Sequence, residues 1–173
     1  MKLKIFAMAA VLFAAAGWVN GAEVKSFEIK PADLKLINGA VLDTLDNTPV
    51  LKLVSKSAKD HPKGEISLEL DPAAAAEYEL SFAVKTENIV STHPDKFGAD
   101  IILKPAKGGA LRFSSRGSYK CDTGTMDWKK SAFKINVRRY LKDQPVKITL
   151  RIGYAPGTAW FKDVKLVPVL PKK

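Results

Sequence analysis

Residues Tyr78-Glu79-Leu80-Ser81-Phe82-Ala83-Val84-Lys85 alternate strictly between two kinds of side chain. Tyr78, Leu80, Phe82 and Val84 fall on one side; Glu79, Ser81, Ala83 and Lys85 fall on the other. A period of two is what a strand with one buried face requires, because successive side chains point to opposite sides. The rhythm recurs. Ile66, Leu68 and Leu70 alternate with Glu65, Ser67 and Glu69; Phe133, Ile135 and Val137 with Lys134, Asn136 and Arg138; Val146, Ile148, Leu150 and Ile152 with Lys147, Thr149 and Arg151. Shorter strands are expected at Phe27–Ile29, Leu34–Ile37, Val50–Val54, Ala99–Leu103, Ala110–Phe113 and Ala159–Val167. One short helical turn is expected at Ala73–Glu77, after Asp71-Pro72.

Turn residues fill the gaps. Asn38-Gly39 lies between two apolar stretches and reads as a hairpin, since both residues accept positive φ. His61-Pro62-Lys63-Gly64, Pro105 to Gly109 and Ala155-Pro156-Gly157 break the chain elsewhere. No glycine-rich loop opens a helix, and strands do not alternate with helices. The expected fold is all-β: a jelly-roll sandwich of two antiparallel sheets.

Residues 1–22 read as an export leader. Lys2 and Lys4 precede the uncharged run Ile5–Gly17, and the small residues Gly21 and Ala22 suit cleavage there. The run is too short to cross a bilayer as a helix, which takes roughly 20 apolar residues. The expected organisation is a signal peptide at 1–22 and a single sandwich domain at 23–173, secreted or periplasmic, from a bacterium-like cell. Removing Lys2 and Lys4 with the leader lowers the net charge from +10 to +8. A charge of that sign draws acidic partners by long-range attraction. With 46% hydrophobic residues the chain can build a core. Its one cysteine, Cys121, excludes an internal disulfide framework.

Catalytic signatures are sparse. His61 and His93 each precede a proline and read as solvated turn residues. No spacing of a zinc site is present. Glycosidases need two opposed carboxylates, one kept protonated. Glu65, Glu69 and Glu79 are instead the polar partners in alternating strands, and the chain is not expected to be an enzyme.

The C-terminal half carries a series of motifs: Gly124-Thr125-Met126-Asp127-Trp128-Lys129, the strands Phe133–Val137 and Ile148–Ile152, and the closing run Gly157-Thr158-Ala159-Trp160-Phe161-Lys162-Asp163-Val164-Lys165-Leu166. With the strand Tyr78–Lys85, this series resembles the carbohydrate-binding modules of the family 4/9/22 type, over about residues 45–168. The resemblance implies a galactose-binding-like jelly roll and non-catalytic binding of a polysaccharide or glycan. It also implies an acid, where this chain has Lys162, that helps hold a structural calcium. A lysine ammonium repels calcium, so no cofactor is expected.

Sugar rings present apolar faces and hydroxyl edges, so a site for them needs exposed aromatic rings beside hydrogen-bonding groups. Tyr78 and Phe82 belong to the core by alternation, and Trp128 and Trp160 are assigned there too, Trp160 because it shares a parity with Val164 and Leu166. The carbohydrate-binding candidates are Phe97, Tyr119 and Tyr154 in or beside loops, with Arg112, Arg116, Asn136 and Arg151 for hydroxyl or acidic groups. An acidic polysaccharide is the favoured ligand. Docking of another exported protein through the same sandwich is the alternative. No nucleic-acid-reading motif is present.

Overall fold

A computed structural model of the chain describes residues 17–19, 22–70, 75–94, 96–106, 113–114, 121–137 and 145–170. Thirteen strands are found among them: β1 (Gly17–Val19), β2 (Ala22–Val24), β3 (Phe27–Ile29), β4 (Lys35–Ile37), β5 (Ala40–Leu45), β6 (Thr48–Ser55), β7 (Lys63–Leu68), β8 (Glu77–Ile89), β9 (Gly98–Pro105), β10 (Phe113–Ser114), β11 (Gly124–Asn136), β12 (Val146–Gly153) and β13 (Gly157–Val169). The larger sheet runs β11-β8-β13-β6-β5, with β3 also paired to β13. The smaller sheet runs β10-β9-β12-β7-β4. β1 and β2 pair with each other. All these pairings are antiparallel, as the sandwich expectation requires.

The core is the meeting of the two inner faces. Val146, Ile148, Leu150 and Ile152 of β12 are all fully buried, as their alternation predicts. Ile101 and Leu103 of β9 lie beside them in the same sheet, and Tyr78, Leu80, Phe82 and Val84 of β8, with Leu51 and Leu53 of β6, face them from the other. Each such side chain contributes about 1.5–3 kcal/mol by leaving water.

Two local expectations give way. Asn38-Gly39 does turn the chain through positive φ, at 52° and 83°. It does not close a hairpin, because β4 pairs with β7 and β5 with β6. The turn is a corner that carries the chain from one sheet to the other. The hairpin lies one strand later, at Asp46-Asn47, where φ is 51° and 59° and Leu45 pairs with Thr48. Of the short helix expected at Ala73–Glu77, residues 73 and 74 lie outside the described residues. Ala75 and Ala76 are not helical, and Glu77 opens β8. The expected strand at Ala110–Phe113 is described only from Phe113, the start of β10.

A third difference has a clear cause. Along β13, Lys162 pairs with Ala83 but Lys165 pairs with Ser81. One extra residue is accommodated there, and Asp163 sits at φ 54°. Such a bulge reverses which parity faces inward. Before it Ala159 and Phe161 point to the core; after it Val164 and Leu166 do. Trp160 therefore stands on the outward face, between Lys52 of β6 and Lys85 of β8.

Candidate functional site

The smaller sheet positions the site. In its order, β9, β12 and β7 lie side by side. His61 comes two residues before β7, Phe97 one residue before β9, and Tyr154 one residue after β12. Because neighbouring strands are antiparallel, two strand starts and one strand end meet at the same edge. Three residues far apart in sequence are thus brought into one row. Tyr154 and His61 meet edge to face, with ring centres 4.4 Å apart, and Tyr154 and Phe97 meet at 5.0 Å, tilted. His93 extends the row, 5.6 Å from Phe97. It is held by the tight turn in which its carbonyl accepts hydrogen bonds from the Lys96 and Phe97 amides, the latter at 2.8 Å. Tyr154 is 52% exposed, His93 is exposed, and His61 and Phe97 are half-buried.

The backbone under this row is strained. Seven non-glycine residues among those described have positive φ, and five of them are Asn or Asp, which tolerate it. The other two are His61 at 48° and Tyr154 at 53°, the two rings in closest contact. Phe97 is placed by Gly98, whose φ of 146° lets the Asp122 carbonyl come close; an added Cβ there would lie 2.7 Å from that oxygen. The Ala99–Asp122 bridge is made across this gap.

Below the rings, the outward face of the smaller sheet is charged. Arg151 stands opposite Asp100 and Lys63; Thr149 stands opposite Ile102 and Glu65; Lys147 stands opposite Lys104 and Ser67. Arg151 grips Asp100 through two bonds, Nε donating to Oδ1 at 2.7 Å and an Nη donating to Oδ2 at 3.1 Å. Asp100 is 1% exposed. Burial alone would lower the Arg151 pKa, but Asp100 outweighs it and the guanidinium is held more firmly protonated than usual. Asp100 also lies 4.0 Å from the buried Cys121 thiol.

Glu65 accepts from Lys63 at 3.0 Å, from Lys147 at 3.4 Å and from the Thr149 hydroxyl at 3.5 Å. Burial pushes its pKa up, but the two lysines overcome that and hold the carboxyl below its usual 4.5. A carboxylate with a depressed folded pKa adds stability above its unfolded value, and that stability is lost as pH falls through the folded one. The pH window therefore opens below 4.5. Glu65→Gln is expected to flatten this part of the acid-unfolding curve, read as the urea midpoint from neutral pH down to about 3. An unchanged acid slope would contradict the cluster.

Of the seven candidates taken from the sequence, Phe97, Tyr154 and Arg151 converge on this edge and face. Arg151 is already paired with Asp100, which takes two of its five N–H donors. Asn136 belongs elsewhere: it is half-buried at the end of β11, paired with Glu77 in the larger sheet. Arg112, Arg116 and Tyr119 lie outside the described residues. Both histidines lie between strands as expected, His93 exposed and His61 half-buried; what the expectation lacks is their ring contacts with Phe97 and Tyr154. Their pairing with prolines marks turns, and only the strand order shows that the two turns adjoin. Trp160 is buried as expected, at 9% exposed, but the bulge puts it on the outward face, outside the main core cluster. Trp128 also faces outward, with the Lys162 ammonium 4.2 Å from its ring centre. Lys162 is thus committed to an indole face. Among the described residues no three His, Cys, Asp or Glu side chains gather as metal ligands, and no helix is long and apolar enough to cross a membrane.

No family model and no curated protein matches the sequence. Solved structures do match the fold. A CBM4 structure is 15% identical, with a TM-score of 0.50 over 84% of this chain and 87% of that one. The family 30 carbohydrate-binding module of a cellulosomal cellulase of Clostridium thermocellum is 17% identical, with a TM-score of 0.50 over 91% and 92%. The family 11 carbohydrate-binding module of the same organism, in complex with a mixed-linked tetrasaccharide, is 13% identical, with a TM-score of 0.51 over 85% and 89%. These neighbours are carbohydrate-binding modules of several families at similar scores. The chain shares their jelly-roll sandwich, and the family 4/9/22 type is not singled out.

Proposed function

We propose that this protein is an exported, non-catalytic carbohydrate-binding sandwich that favours acidic polysaccharide, seated at the row His93–Phe97–Tyr154–His61. The carrying observation is that row: four contiguous rings across one sheet edge, the closest two held on left-handed backbone. Backbone strain at bulky residues persists where the surrounding structure over-determines it, and it clusters at binding sites. The rings are not coplanar. Tyr154 and Phe97 differ by 48°, and Tyr154 and His61 by 77°. Tyr154, 52% exposed, offers an open aromatic surface, with the His61 ring edge beside it to bond hydroxyls.

The carboxylates near the row argue against hydrolysis. Glu65 and Asp100 are both locked in ion pairs. Glu65 is held ionised, the opposite of what a general acid needs. The excess of cations on the same face supports an acidic ligand, and the leader-like residues 1–22 support export.

Calorimetric titration against neutral and acidic polysaccharides tests this reading. Tyr154→Ala is expected to weaken binding by at least about tenfold, the scale of losing one well-packed aromatic anchor. Folded protein that binds no polysaccharide, or a Tyr154→Ala variant that binds like the parent, would overturn it. One observation favours the alternative of docking an exported protein: the edge strand β5 exposes Val41 (45%) and Leu42 (52%). A stoichiometric protein partner cross-linked at β5, and retained in the presence of sugar, would favour that reading.

A further inference from the structure

We infer that Lys104 and Lys147 form an anion subsite for a carboxylate or sulfate group carried by the same glycan, some 20 Å along the sheet from the ring row. This rests on the carbohydrate reading. Lys147 lies six residues before Gly153, the last residue of β12, and Tyr154 follows Gly153. At about 3.3 Å per residue this sets the separation.

The two lysines are directly opposed across the β9–β12 ladder. Like charges placed face to face cost a sheet stability. Both point outward, since Leu103 and Pro105 on one strand and Val146 and Ile148 on the other are buried. Glu65 offsets the pair only in part: it meets Lys147 at 3.4 Å while also held by Lys63 at 3.0 Å, and no ion pair joins it to Lys104. Among the described residues no carboxylate pairs with Lys104. Lys35 adds a further cation opposite Glu65 on β4. Within its strands the face therefore carries Lys35, Lys63, Lys104, Lys147 and Arg151 against Glu65 and Asp100 among the described residues, with the exposed Glu69 just past the end of β7. An anion bridging Lys104 and Lys147 would turn a repulsive pair into an attractive one.

A glycan is the occupant because β12 carries Lys147 and Arg151 on its outward face and leads directly into Tyr154, so one extended ligand can span both. A chain stacked at Tyr154 and running down β12 reaches the pair. The subsite would then supply selectivity for acidic polymers, while the rings supply stacking common to neutral and acidic sugars.

The test uses the double variant Lys104→Gln/Lys147→Gln with polygalacturonate, a sulfated dextran and a neutral β-glucan, each at low and high salt. The expected result is a loss of about tenfold for at least one acidic polymer and a weaker salt dependence, with neutral binding unchanged. Polygalacturonate against sulfated dextran separates carboxylate from sulfate. Lys104→Gln alone should melt no lower than the parent, because it removes a like-charge contact. Equal losses for neutral and acidic polymers, or none for either acidic polymer, would overturn the subsite. So would parent protein that binds none of the three. If Tyr154→Ala leaves acidic binding intact while the double variant abolishes it, the ring row fails and the subsite stands. If the double variant loses binding only to vesicles of anionic lipid, the glycan assignment is overturned.

Discussion

Asp100→Ala is expected to destabilise the protein by about 3 kcal/mol, the lower end of the range for removing one partner of a buried ion pair. Asp100 is 1% exposed, and its carboxylate receives both Arg151 bonds. Without it the guanidinium, with only 18% of its side chain exposed, keeps its charge but loses the partner that compensated its burial. The lower end applies because Arg151 retains some contact with water. Asp100→Asn should fall between the two, since an amide oxygen can still accept one bond. Chemical denaturation at neutral pH reads the effect, and an Asp100→Ala midpoint equal to the parent's would remove the ion pair from the structural account. Replacing Asp100 and Arg151 together by well-packed apolar residues should cost much less than Asp100→Ala alone, because no charge is then stranded.

The second large effect separates two adjacent aromatics. Phe161→Ala should cost about 3–5 kcal/mol. Phe161 is 1% exposed, lies in the core cluster and packs 6.3 Å from Phe82, centre to centre. Trp160→Ala should cost less, within the usual range of about 0.5–3 kcal/mol, because Trp160 lies outside that cluster and covers the outward face beside Lys52. Plain alternation counted back from Val164 and Leu166 predicts the reverse order. Measured stabilities ranking Trp160→Ala as the more damaging would contradict the bulge at Asp163.

That contrast shows which parts of the fold a period of two can reveal. β8 and β12 are uninterrupted over their apolar positions, and every inward residue expected there is buried. Across β13 the rule fails, since one extra residue leaves no mark in composition. Asp163 itself is the available signal, as Asp tolerates positive φ. The Asn38-Gly39 turn is legible as a turn but not as a corner, because the local conformation is similar whether the next strand returns to the same sheet or crosses to the other.

The site is legible in pieces. Phe97 and Tyr154 stand out as loop aromatics, but the distance between them in the chain hides their contact. Each histidine, taken singly, looks like an ordinary turn residue. Their role as members of a row depends on β7, β12 and β9 being neighbours, which strand content alone does not determine. The alternation of β12 marks Arg151 as outward-facing, while its commitment to Asp100 depends on the β9–β12 register.

The left-handed backbone at His61 and Tyr154 bears on how a ligand is met. The energetic cost of holding these rings is settled when the chain folds, before any ligand arrives. Association then needs little further ordering of the protein, which is the step that usually consumes much of the gross attraction between a flexible loop and a sugar. A receptor surface prepared in advance can hold a soft, hydrated chain with few contacts, and it should look nearly the same empty as filled.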